Sequence, residues 1–209
     1  MSYTLMPLRQ VREPFDDPDW IFELKYDGWR ALAYIEPRCV TFVSRTGYVY
    51  GRRFDALGAA LRRELRVRSA VLDGELVCLD SAGRPCFMDL MRRRGQPVFV
   101  AFDVLTHGKR DLRAWPLWRR KQRLRALVPA RATAVLYAES IQGQGIALYA
   151  EACAKDLEGI VAKRRDSPYD PAQPWLKIKN SDYSQKVGRA DLFDRKTRTV
   201  LKASLAIPT

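Results

Sequence analysis

The sequence predicts an α+β domain with mainly antiparallel sheets, and three observations carry that prediction. Strand-length runs of alternating polar and apolar residues recur along the chain, helical periodicity separates only some of them, and the two kinds follow no regular βαβ order. Strands are expected near residues 21–25, 31–36, 39–44, 69–79, 98–105, 133–138, 158–163 and 175–179. In the first, alternation turns Trp20, Phe22 and Leu24 toward a core and leaves Glu23 and Lys25 together on the other face. Phe54, Leu57, Leu61 and Leu65 recur at helical spacing, with Arg62, Arg63 and Glu64 largely outside that face. Asp80-Ser81-Ala82-Gly83 reads as a turn between two hairpin arms. A second helix is expected around Trp118 to Leu127 and carries Arg119, Arg120, Lys121, Arg123 and Arg125; a third begins after Gly145 and runs to about Lys155. Pro168 to Pro174 can only be a loop.

With 209 residues, 47% of them hydrophobic, the chain suits one substantial domain. A formal charge of +13, from 37 Lys and Arg against 24 Asp and Glu, favours a polyanionic partner over a neutral small molecule alone. Cys39, Cys78, Cys86 and Cys153 have no metal-ligand spacing, and the lone His107 cannot complete a zinc set, so free thiols in a reducing compartment are expected. The N-terminus shows no charged-then-apolar leader and no apolar run reaches membrane-spanning length. The expectation is therefore a cytoplasmic protein, acting as a monomer.

The run Glu23-Leu24-Lys25-Tyr26-Asp27-Gly28-Trp29-Arg30 resembles, in its Lys-x-Asp-Gly-x-Arg core, the active-site motif of the covalent nucleotidyltransferases: ATP-dependent DNA ligases, RNA ligases and mRNA capping enzymes. Further stretches follow in the order of the ligase motifs. They are Ser44-Arg45-Thr46-Gly47, Leu72-Asp73-Gly74-Glu75, Phe99 to Asp103, Glu158 to Lys163, and Trp175-Leu176-Lys177-Ile178-Lys179. Val100 to Leu105, Glu158 to Lys163, Asp166-Ser167-Pro168-Tyr169 and Trp175 to Asn180 are most similar to the bacterial ATP-dependent DNA ligases of the end-joining type. The resemblance implies the adenylation-domain fold, in which two packed sheets enclose the nucleotide.

It also implies residue roles. Lys25 would form the covalent phosphoramidate with AMP. Lys177 and Lys179, alternating with Leu176 and Ile178 on one face of a strand, would lie at the α-phosphate. An ordinary lysine amine titrates near ~10.4, so attack at neutral pH calls for neighbouring positive charge of this kind. Glu23 would sit beside the adenine edge, Phe102 would stack on adenine, and Arg30 would contact ribose or phosphate. Glu75 shares a face with Asp73 and Val77; it is either a structural ion-pair partner or, by the resemblance, a ribose hydrogen-bond acceptor. Glu158 would help hold Mg²⁺ (or Mn²⁺), a cation that needs few protein oxygens when phosphate and water supply the rest. Arg45 would contact the 5′-phosphate of a DNA strand. The basic runs Arg62 to Arg68, Arg92 to Arg94 and Arg119 to Arg125 are either solvated faces or contacts to backbone phosphates.

The implied function is the catalytic core of an ATP-dependent DNA ligase acting on nicked duplex DNA in repair. Residues 1–180 would form the adenylation domain. The 181–209 tail carries Lys186, Arg189, Arg195, Lys196, Arg198 and Lys202 against Asp182, Asp191 and Asp194. About thirty residues follow Lys179, below the ~50 of the smallest domains, so no oligonucleotide-binding (OB-fold) barrel is expected there. That leaves open whether the chain seals nicks alone or with a separate DNA-binding or OB-fold partner protein. The alternatives are an RNA ligase or capping-type nucleotidyltransferase, and a nucleic-acid-binding module without catalysis.

Overall fold

The structure, a computed structural model, describes residues 3–186; most of the expected C-terminal tail lies outside the described residues. Eleven strands and four α-helices are present among them. One five-stranded sheet is built from β1 (Leu8–Val11), β2 (Trp20–Leu24), β9 (Ser140–Gln142), β10 (Gly159–Arg164) and β11 (Trp175–Lys179), in the order β1-β11-β10-β2-β9. The second sheet runs β4-β3-β5-β6-β7, from β3 (Trp29–Ile35), β4 (Val40–Ser44), β5 (Ala70–Cys78), β6 (Pro97–His107) and β7 (Arg110–Asp111). The short β8 (Val135–Tyr137) pairs with β6. All pairings are antiparallel except β1 with β11 and β6 with β8.

Three helices fall where periodicity places them: α1 (Asp55–Glu64), α3 (Leu117–Leu127) and α4 (Gly145–Ala154). Leu57 and Leu61 of α1, with Leu124 and Leu127 of α3, bury against Ala31, Leu72, Phe99 and Ala101 of the second sheet. Ala152 of α4 buries against Phe22, Ile160 and Ile178 of the first. A third apolar cluster, with Met6, Leu32, Leu105, Tyr169 and Trp175, joins the two sheets to each other. Helices therefore cover the outer faces, and the inner faces meet across a cleft.

The turn at Asp80 is fixed by its own carboxylate, which accepts from the N–H groups of Ala82 and Arg84, and Gly83 takes φ +77°. Its second arm is a single bridge, Leu79 to Pro85, and the chain then enters α2 (Phe87–Arg92), a helix too short to show a period in the sequence. Helix α3 departs from the solvated basic face that its sequence suggests. Arg120 and Lys121 are buried, because Asp103 receives Arg120 through two hydrogen bonds and Glu23 receives Lys121. A buried cation persists only with such partners.

Candidate active site

The strand register brings the charged groups together. Leu24 pairs with Ile160, and the N–H of Lys25 donates to the carbonyl of Gly159 at 2.9 Å, so Lys25 emerges from β2 beside the start of β10. Gly159 in turn faces Lys179 on β11, and Glu23, Val161 and Lys177 form the neighbouring cross-strand row. Lys25 Nζ then meets Glu158 Oε2 at 2.5 Å, while Lys179 Nζ stands 3.9 Å from Glu158 Oε1. Gly159 makes this row possible: it holds φ +129°, and a Cβ there would collide with the carbonyl of Ile178.

The opposite wall comes from the second sheet. Arg30 and Glu75 are cross-strand partners on β3 and β5. Between Asp73 and Gly74 the β5–β6 register slips, Asp73 facing Asp103 and Gly74 facing Ala101, so Phe102 has no partner across the ladder. A bulge of this kind re-aims a side chain. Phe102 is half-buried in the cleft, 5.7 Å centroid to centroid from Trp175 in an edge-on contact. The cleft counts about 390 Å³ with its open mouth and is lined on one side by Glu23, Lys25 and Lys163, on the other by Arg30, Glu75 and Phe102.

Electrostatics inside the cleft are uneven. Burial pushes the Glu75 carboxyl up to about 8, against the pull of Lys25 and Arg30. Among the described residues it has no ion-pair partner, so the structural salt bridge is not what holds it there. Arg30 is spoken for: it grips Asp73 with two nitrogens at 3.1 and 2.8 Å, donates to the carbonyl of Met6 at 2.7 Å, and lies over Phe102 and Trp175. Tyr169 donates to the same Asp73 carboxylate. Glu23, 2% exposed, lines the cleft, but its two oxygens receive Lys121 at 2.6 Å and Lys163 at 2.5 Å. Desolvation lowers the pKa of Lys163, with Glu23 opposing and Lys121 reinforcing the shift. Desolvation also lowers that of Lys177, helped by Lys179 and Lys25. Arg45 is exposed on the turn after β4, where Ser44 Oγ accepts from the N–H groups of Thr46 and Tyr48.

Lys163 is a cleft residue that sequence reasoning passed over. Its ammonium lies 4.5 Å from the centroid of Phe102 and 3.9 Å from that of Trp175, inside favourable cation–π range. Period two from Val161 would have found it. Lys121 had a signal too, since it sits between Leu117 and Leu124 on the apolar stripe of α3. The indole N–H of Trp175 is buried without a hydrogen-bond partner among the described residues.

For the groups a nucleotide reaction needs, the residues fit. An aromatic face, an unpaired carboxyl and clustered lysines suit a purine nucleoside phosphate. No group of three or more metal-ligating side chains exists among the described residues. A single carboxylate, Glu158, suits a cation that takes its remaining ligands from phosphate and water.

A lysine-bearing sheet facing an aromatic, carboxyl-bearing sheet fits the lysine-dependent nucleotidyltransferase class that the motifs resemble. Within that class the chain belongs to the ATP-dependent DNA ligase domain family, whose pattern matches residues 5–179. It is 36% identical over 169 residues to the multifunctional non-homologous end joining protein LigD of Pseudomonas aeruginosa, covering 77% of this chain and 20% of that protein. It is 33% identical over 195 residues to the SPbeta prophage-derived DNA ligase-like protein LigB of Bacillus subtilis, covering 88% of this chain and 70% of the relative. The chain thus spans about a fifth of the LigD relative. Among solved structures, mycobacterial DNA ligase D complexed with ATP and MES superimposes with a TM-score of 0.69 at 32% identity, over 84% of this chain and 60% of that one.

Proposed function

We propose that this chain is the catalytic core of an ATP-dependent DNA ligase, with residues 1–180 as its adenylation domain. The observation that carries the reading is the Lys25–Glu158 pair at 2.5 Å, placed at a cleft whose far wall presents Phe102 and Glu75. In the first step Lys25 Nζ, having given up its proton, attacks the α-phosphorus of ATP; the N–P bond forms as the bond to pyrophosphate breaks. AMP then passes from Lys25 to the 5′-phosphate at a DNA nick, and the adjacent 3′-hydroxyl displaces AMP to close the phosphodiester.

Each side chain has a part in this. Lys177 and Lys179 place positive charge where the transferring phosphoryl group gathers negative charge. Phe102 stacks on the base, and Lys163 with Trp175 closes the floor beneath it. Glu75, carrying its proton at neutral pH, donates to a ribose hydroxyl as readily as it accepts from one. Arg30, already anchored by Asp73, acts through position, keeping the walls at fixed separation. Glu158 is the residue that would hold Mg²⁺ or Mn²⁺, which neutralises phosphate charge when bound. Glu158 also accepts from Lys25 Nζ at 2.5 Å, so the same carboxylate orients the amine at the cleft. Arg45, exposed on its turn, takes the 5′-phosphate strand. The acceptor is nicked duplex DNA, and the setting is cytoplasmic, which four free thiols support.

The test is incubation with α-labelled ATP and magnesium. Acid-stable label on the wild type and none on Lys25→Ala is expected; equal labelling of the two proteins removes Lys25 from the mechanism. Side-by-side sealing of nicked DNA and nicked RNA checks the acceptor.

A further inference from the structure

Two surface grooves adjoin at the far end of the second sheet and share His107, the last residue of β6. Ala70, its cross-strand partner, is five positions along β5 from Glu75, or about 17 Å at ~3.3 Å per residue. The grooves are thus separate from the cleft. One is lined by Arg62, Arg66 and Arg68, the other by Arg110, Arg119 and Arg123. No Asp or Glu lines either groove.

Some arginines elsewhere are neutralised locally, Arg84 by Asp80, Arg113 by Asp111 and Arg125 by Glu139, while others lack a partner singly; the grooves differ in gathering six arginines around one histidine. Among the described residues, none of the groove arginines has a carboxylate within ion-pair distance. Arg123 turns to His107 instead, donating to Nδ1 at 2.8 Å. Burial and the charges of Arg123 and Arg110 depress the His107 pKa, the response of an imidazole to uncompensated positive charge. Like charges gathered this way repel one another, and a solvated face gains nothing from that arrangement.

Aromatic rings complete the surface. Trp115 and Trp118 are half-buried in the second groove, with Arg110 over the first ring at 5.9 Å and Arg119 over the second at 5.1 Å. Guanidinium forks match phosphate oxygens, and indole faces take bases or sugars without regard to sequence.

We propose that these adjoining grooves bind the sugar–phosphate backbone of DNA as a second contact, remote from Lys25, that extends the protein's footprint along its substrate. The proposal rests on the reading that DNA is the acceptor. It gives Arg62, Arg66 and Arg68 a common role with Arg110, Arg119 and Arg123 that neither set shows alone, because the fold brings them to one edge through His107.

The test uses the full chain with Arg68, Arg110 and Arg119, all exposed, changed together to Gln. Adenylation of Lys25 should be unchanged, which verifies folding and keeps the chemistry out of the readout. Affinity for nicked duplex is then measured from 50 to 200 mM salt. With about 0.9 counterion released per phosphate contact, losing three contacts should shrink the wild-type fall in affinity over that range by about 40-fold. Trp118→Phe supplies a local readout: the part of the DNA-induced fluorescence quenching that belongs to Trp118 should vanish. An unchanged salt slope, or quenching that Trp118→Phe leaves intact, overturns the proposal. So does quenching of Trp118 by polyglutamate but not by DNA, which would make the surface a dock for an acidic protein. A chain that never takes AMP yet binds DNA with the expected slope change supports the grooves while defeating the ligase reading; a chain that takes AMP and ignores DNA does the reverse.

Discussion

Replacing Glu23 with Gln should show how the cleft floor is held. The Glu23 side chain is 3% exposed and is the shared counter-charge of Lys121 and Lys163, whose side chains are 5% and 1% exposed. Gln keeps the shape and removes the charge, which leaves two buried ammonium groups facing each other. Breaking a buried pair from one side costs about 3–5 kcal/mol. For a chain of this size each kcal/mol moves Tm by about 2–4 °C, so a drop of about 6–20 °C is expected at pH 7. Lys163, already lowered by burial, would fall further and lose its proton in the folded state first. A lysine with a depressed folded pKa binds fewer protons folded than unfolded, so stability rises with pH until the unfolded lysine also titrates near ~10.4. The deficit of Glu23→Gln should therefore narrow between pH 7 and pH 9.5. Circular dichroism melts of both proteins at the two pH values measure this. The triple replacement of Glu23 by Leu with Lys121 and Lys163 by Met should recover most of the lost stability while failing to form lysyl-AMP. A loss below about 1 kcal/mol at pH 7, or a deficit independent of pH, would refute the reasoning.

Other perturbations reach the remaining parts of the site. Glu75, pushed up to about 8, keeps its proton in the fold after the unfolded carboxyl has lost its own, so stability should decline as pH rises from about 4.5 to about 8. In Glu75→Gln that part of the decline should disappear from melting curves, although AMP transfer falls. Lys25→Arg keeps a cation for Glu158 and removes the proposed nucleophile; a Tm within about 2 °C of wild type with no labelled adduct is the expected pair of results, on the ~±0.5 kcal/mol scale of conservative changes outside the core. Gly159→Ala drives a Cβ into the Ile178 carbonyl at a positive φ. It should lose at least about 1–3 kcal/mol and slow adenylation through displacement of Glu158, both measurable on one purified preparation.

Much of this arrangement was legible in the sequence because it depends on local pattern. Alternation in Trp20 to Leu24 and Trp175 to Lys179 marks which side chains share a face, and the Asp80 turn carries its own hydrogen-bonding carboxylate. The ordered motifs then indicated which faces meet. What escaped depends on contacts distant in the chain. Strand β1 is a four-residue edge, β9 has three residues and β7 two, all below the length at which alternation becomes a signal. The bulge that turns Phe102 inward is a mismatch between two strands and belongs to neither sequence by itself. Arg120 and Lys121 look solvated in a basic run, and only Asp103, 17 positions away, and Glu23, 98 positions away, show why they are not.

The tripeptide Tyr26-Asp27-Gly28 carries the chain from β2 in one sheet to β3 in the other, and its setting is tight. The Tyr183 hydroxyl donates to Asp27 at 2.9 Å, and Gly28 lies so near the carbonyl of Leu76 that no methyl group fits. Evolution of such a domain is consequently free to lengthen the outer tip at Ser81 and forbidden to do so here. One inserted residue would have to be taken up at the end of β2 or the start of β3, shifting Lys25 or Arg30 from its place across the cleft.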